Sequence, residues 1–127
     1  MTAITITNSG RQLIRDGVSG AANDILSYVA VGSSSTAPSN TDTQLGSETF
    51  RKAVSSYLNV ATNELQISMY MSPSDDLGDN IQEVGFFGGN ASGTPNSGTL
   101  FARGLYSHTR PSTASEGITF VVDLTVN

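Results

Sequence analysis

The chain has 127 residues, which is room for one domain around one core, and only 13% of them are charged, while serine and threonine number 18 and 14. A net charge of −5 with a single lysine, Lys52, leaves almost nothing from which to build a phosphate-binding surface, so no nucleic-acid partner is expected. The absence of cysteine rules out disulfides and thiolate metal sites, and no apolar run approaches the roughly 20 residues that span a bilayer, so no membrane role is expected.

The N-terminal stretch MTAITITNSGRQLI has neither the basic segment nor the apolar stretch of a signal peptide, so synthesis in the cytosol is expected. Residues 2–6 alternate as a short strand. Thr7, Asn8 and Ser9 then offer N-caps for a helix through residues 11–16, with Gly17 and Gly20 to end it. At about two turns this helix needs tertiary support, and Leu13, Ile14 and Val18 are the side chains to provide it.

Residues 25–31, ILSYVAV, are β-branched and aromatic and read as a strand buried on at least one face. The following 15 residues, 32–46, have no period and are dominated by small polar side chains. A loop this long inside a compact domain is usually functional, so a contact arm is expected over 33–44. Residues 48–58 read as one strand that pairs, across the turn VATN, with residues 64–71. There Leu65, Ile67, Met69 and Met71 share one face.

Residues 81–89, IQEVGFFGG, and 98–107, GTLFARGLYS, read as an antiparallel pair joined by the turn-rich ASGTPNS. The last strand, 117–126, puts Ile118, Phe120, Val122, Leu124 and Val126 on one face. About six strands and one short N-terminal helix predict a mainly β fold, an antiparallel β-sandwich, in a single domain over 1–127.

Chemistry-bearing residues are few. His108, the only histidine, lies in HTRPS beside Pro111 and reads as loop surface, so no catalytic residue is assigned. Asp75, Asp76, Asp79 and Asn80 offer hard oxygen ligands, but their spacing does not fit an EF-hand. They read as turn residues, and no metal, cofactor or small-molecule substrate is expected. Glu83, Arg103 and Arg51 all fall within predicted strands, where a lone charge is costly to bury. They predict a structural ion pair, Glu83 with Arg103 or with Arg51.

The succession YVAVGSSSTAPSNTDTQLGSETFRKAV, a hairpin, IQEVGFFGG and then GTLFARGLYS resembles the N-terminal domain of phage tail-collar fibre proteins and related small virion proteins. In that family a TNSGRQLI-type helix precedes a strand ending in a VG turn, an LGSE-type segment, an EVGFF-type strand and a GTLFAR-type strand. The resemblance covers nearly the whole chain, and the order of the motifs carries it. Fibres continue into a shaft and a receptor-binding tip, whereas this sequence ends at Asn127, so the part that attaches to the particle is what the resemblance implies.

The expected function is that of a non-enzymatic structural protein of a tailed phage, located in the virion: a tail collar, baseplate or fibre-attachment element. Its expected partners are itself, as a homotrimer, and other virion proteins. A capsid decoration protein is the alternative. A carbohydrate-binding module is more distant, since tryptophan is lacking and Tyr28, Phe50, Tyr57, Phe86 and Phe101 read as core. Contacts are expected from Ser33, Ser34, Ser35, Thr36, Pro38 and Thr41 in the arm, Asn96 in the 91–97 loop, and His108, Arg110 and Pro111 in the 107–115 link.

Overall fold

The computed structural model describes residues 4–21 and 26–126. Its elements run β1 (Ile4–Ile6), α1 (Asn8–Ser19), β2 (Tyr28–Gly32), β3 (Glu48–Ala53), β4 (Ser56–Ala61), β5 (Glu64–Met71), β6 (Asn80–Gly88), β7 (Thr99–Thr109) and β8 (Ile118–Thr125). Two antiparallel sheets face each other, one of five strands in the order β1-β7-β6-β2-β3 and one of three in the order β4-β5-β8. The fold is a mainly β sandwich with a single short helix among the described residues. Of the expected first and second strands, Thr2, Ala3 and Ile25 lie outside the described residues.

Alternation explains the inner face. Ile67, Met69 and Met71 of β5 oppose Val122, Phe120 and Ile118 of β8 and meet Val29, Val31, Val84, Phe86 and Phe101 of the large sheet in one core. Apolar burial of this kind is the main stabilising term, each large side chain contributing about 1.5–3 kcal/mol. Tyr57, read from the sequence as core, points inward from β4 but stays 54% exposed, because β4 is an edge strand with every residue exposed; its hydroxyl donates to the Leu26 carbonyl.

The expected strand over 48–58 is two strands in different sheets. The chain turns the corner at Val54 and Ser55: the Val54 amide still donates to Ser27 of the large sheet, and the Ser55 amide already donates to Ser68 in β5. The adjacent Ser55 and Ser56 are the local signal, small polar residues that interrupt the apolar pattern.

Helix α1 begins earlier and ends later than its sequence pattern suggests. Thr7 caps it, its Oγ1 accepting from the Gly10 amide at 2.9 Å and donating to the Leu100 carbonyl at 2.5 Å. Gly20, in the left-handed region at φ 82°, closes it, while Gly17 remains inside. Gly10 serves packing instead of termination. A β-carbon there would collide with the Phe101 backbone, so its absence lets α1 lie directly on β7.

Candidate functional site

The outer face of the large sheet is covered by loops rather than by the second sheet. Its small apolar cluster is Ala30, Phe87 and Leu100 from the strands with Leu45 from the 33–47 loop. Gly85 makes room for Leu45, because a β-carbon there would sit 2.6 Å from Leu45 Cδ2. The predicted arm is therefore a closed Ω-shaped loop whose ends meet at the Ser33 amide and the Ser47 carbonyl, 3.0 Å apart. Ser33, Ser35, Thr36 and Thr41 stay exposed, and Ser34 and Pro38 are half-buried.

Glu83 fastens this loop. Fully buried, it accepts from the Gly46 amide (2.9 Å) and Arg103 Nε (2.9 Å) on Oε1, and from the Ser34 (3.1 Å) and Ser47 (2.8 Å) amides on Oε2. Arg103 is opposite Gly85 in the register and so diagonal to Glu83 on the same face. Its other nitrogens extend into the loop, to the Thr36 carbonyl at 2.9 Å and Asp42 Oδ2 at 3.3 Å. A carboxylate with four donors, one of them a guanidinium, is the arrangement in which burial of charge is tolerated.

Arg51 does not join Glu83. It forks onto Glu48, Nε to Oε2 at 2.7 Å and the NH2 group to Oε1 at 2.8 Å, with both side chains 2% exposed. Residues three apart in a regular strand point to opposite faces, but the register shift opposite Val31 and Gly32 makes Thr49 an extra residue and brings Glu48 to the Arg51 side. The Arg51 guanidinium carbon sits 4.5 Å from the centre of the Phe87 ring. Its remaining nitrogen holds the 89–98 connection through the Ser92 carbonyl (3.0 Å), the Ser97 carbonyl (3.1 Å) and Ser97 Oγ (3.0 Å). Asn96 in that connection takes a positive φ of 62° and is exposed, and its amide donates to Glu48 Oε1.

Arg110 is a second correction. Read as a loop contact residue, it is 1% exposed and gathers a third loop region, donating to the carbonyls of Ser72 (2.8 Å), Asp75 (3.0 Å) and Glu116 (2.8 Å). His108 is likewise not in a loop: β7 runs on to Thr109, and His108 Nε2 lies 2.5 Å from Glu116 Oε1. Pro111 is half-buried, its carbonyl accepting from the Gly78 amide. Three of the five arginines thus each tie a loop region to the frame. The neighbouring Pro111 made Arg110 look like turn surface in the sequence.

Asp75 is held by Lys52 at 2.7 Å, which keeps its carboxyl below the usual range. Among the described residues no group of three or more His, Cys, Asp or Glu is placed to hold a metal ion. Asp76 Oδ2 is buried without a donor among the described residues; burial first, and the neighbouring Asp79 carboxyl second, push Asp76 up to about 7, against an opposing pull from Arg110.

Because the folded-state value lies above the unfolded one, the stabilisation from Asp76 is complete below about pH 3.9 and is lost as pH rises through about 7. Partial exposure weakens the effect, so the chain is expected to lose about 1–2 kcal/mol relative to Asp76→Asn between pH 5 and 8. Urea midpoints of both chains at the two pH values check this; parallel pH dependence would contradict it.

An apolar cleft of about 410 Å³ lies between the sheets, lined by Ile4, Ile6, Phe86, Phe101, Val122 and Leu124. In comparisons with known proteins, no family model matches the chain, and no curated protein and no solved structure matches it.

Proposed function

We propose that the chain is a non-enzymatic structural subunit of a tailed-phage virion, made in the host cytoplasm and working by contacts with copies of itself, as a homotrimer, and with other virion proteins. A collar, baseplate or fibre-attachment element of the tail is the reading that the motif order favours. One observation carries it. Four of the five motifs on which the resemblance rests, all but the TNSGRQLI helix, come together at the two outer-face ion pairs.

The VG turn places Gly32 where a β-carbon would meet Glu83 Oε2 at 2.5 Å, and LGSE supplies the Leu45 plug, two amides for Glu83 and the Glu48 partner of Arg51. EVGFF supplies Glu83, Gly85 and Phe87, and GTLFAR supplies Leu100 and Arg103. Such a set is interdependent, so its ordered occurrence in one chain is a more specific signal than any motif alone. Loops fastened in advance also suit an assembly subunit, since their ordering cost is not charged to each contact.

The test is to purify phage particles from the strain carrying this coding sequence and count the chain by quantitative mass spectrometry. A small multiple of three or six copies per particle is expected for a tail element. Hundreds would mean capsid decoration instead, and absence from intact particles would end the virion reading.

A further inference from the structure

Ion pairs absorb nearly all of the positive charge. Arg51, Lys52, Arg103 and Arg110 each face a carboxylate, and Arg15 faces its neighbour Asp16. Arg11 is the one cation among the described residues in no ion pair; it donates to the Ile6 carbonyl and Asn8 Oδ1, both at 3.2 Å. Helical spacing places Arg11, Ile14, Arg15 and Val18 in one stripe. That stripe flanks the buried face of Gly10 and Leu13, with Ile14 38% and Val18 87% exposed. An apolar strip flanked by cations is thus presented outward.

The reciprocal pattern lies on the outer face of the three-stranded sheet. Alternation and register put Leu58, Gln66 and Asp123 in one row across β4, β5 and β8, Ser68 and Val121 in the next, and Glu64 at the end of β5. Leu58 and Val121 are exposed. Asp123 accepts from Gln66 at 3.2 Å, and neither it nor Glu64 meets a cation among the described residues. So the unpaired positive charge and the unpaired strand carboxylates occupy two different surfaces of one chain, each beside exposed apolar side chains.

We infer that α1 of one copy docks on the outer face of the β4-β5-β8 sheet of a second copy. Ile14 and Val18 pack against Leu58 and Val121, and Arg11 and Arg15 face Glu64 and Asp123. The sizes agree: a 12-residue helix is about 18 Å long, and eight-residue strands give a sheet about 26 Å long and 14 Å across. Because donor and acceptor surfaces differ, the contact is head to tail and closes only as a ring. A patch of this size buries less than the roughly 800 Å² per partner of a standard interface, so a lone pair is weak and ring closure, with two contacts per copy, holds the assembly.

The contact deepens the self-assembly reading above and names the surfaces it uses. Its test needs only the purified full chain: sedimentation from micromolar to near-millimolar concentration at low and high salt. Association to a closed multiple is expected, weaker at high salt. Arg11→Glu, Val18→Glu and Asp123→Arg, all on the surface and checked for unchanged melting temperature, should each weaken it about tenfold or more. Arg11→Glu combined with Glu64→Arg, the carboxylate it faces, should restore it. A monomer throughout the range, an assembly that the single changes leave intact, or a failure of the double reversal to restore would each overturn the contact. None of these touches the virion reading, which the copy number in particles decides separately.

Discussion

Replacing Glu83 by alanine is expected to cost about 3–5 kcal/mol, a large share of the total stability of a domain this size. The loss is large because four donors lose their acceptor together: the Ser34, Gly46 and Ser47 amides and the Arg103 guanidinium. Arg103→Ala should cost less, about 2 kcal/mol, since Glu83 keeps its three amides and the Thr36 carbonyl can turn to water. The double variant should fall well short of the sum, and additive single effects would show that the two side chains do not act as a unit.

Glu83→Gln is the sharper test. Both carboxylate oxygens accept two hydrogen bonds, so an amide of the same shape points its NH2 group at donors whichever way it is turned. It should cost about 2–3 kcal/mol and open the 33–47 loop to proteolysis while the sheets persist. Near-native stability of Glu83→Gln in urea unfolding would refute the clasp.

The sequence shows why this device was half visible. Glu83 and Arg103 stood out because a charge inside an apolar strand needs a partner, and their antiparallel strands bring them into diagonal register. The three amides were hidden, since backbone donors leave no mark on residue identity; Gly46 and Ser47 look like ordinary loop residues. Sandwich class was legible from clean period-two stretches such as 64–71 and 118–125, whose inner faces are the core.

What escaped was every feature made by a break in that period. The bulge at Thr49 puts Glu48 beside Arg51, the corner at Ser55 sends one predicted strand into two sheets, and the shift between Phe86 and Phe87 lets Leu100 face outward while Phe101 and Ala102 stay in the core. A bulge costs no particular residue type, so alternation cannot announce it. Arg110 escaped for another reason. Its partners are carbonyls from 72, 75 and 116, and nothing in a sequence specifies which carbonyls a guanidinium will gather.

Arg51 separates stability from loop order in a way that Glu83 cannot. Arg51→Ala strands the Glu48 carboxylate at 2% exposure with the Asn96 amide alone for compensation, and is expected to cost about 3–5 kcal/mol. Arg51→Lys keeps the charge but loses the fork, the stacking on Phe87 and the three bonds to Ser92 and Ser97, at a cost of about 2 kcal/mol. When both partners become apolar, as in Arg51→Met with Glu48→Leu, no charge is left buried. Global stability should then return to within about 1–2 kcal/mol of the native chain, because an apolar replacement of a buried pair is nearly neutral. The 89–98 connection, however, keeps only the packing of Ala91 on the outer-face apolar cluster, so its amides should exchange faster even as the urea midpoint recovers. Recovery of both, or of neither, would mean that Arg51 does not hold the loop. At the Glu83 clasp the matching apolar double variant should recover nothing, since three backbone amides would still lack an acceptor.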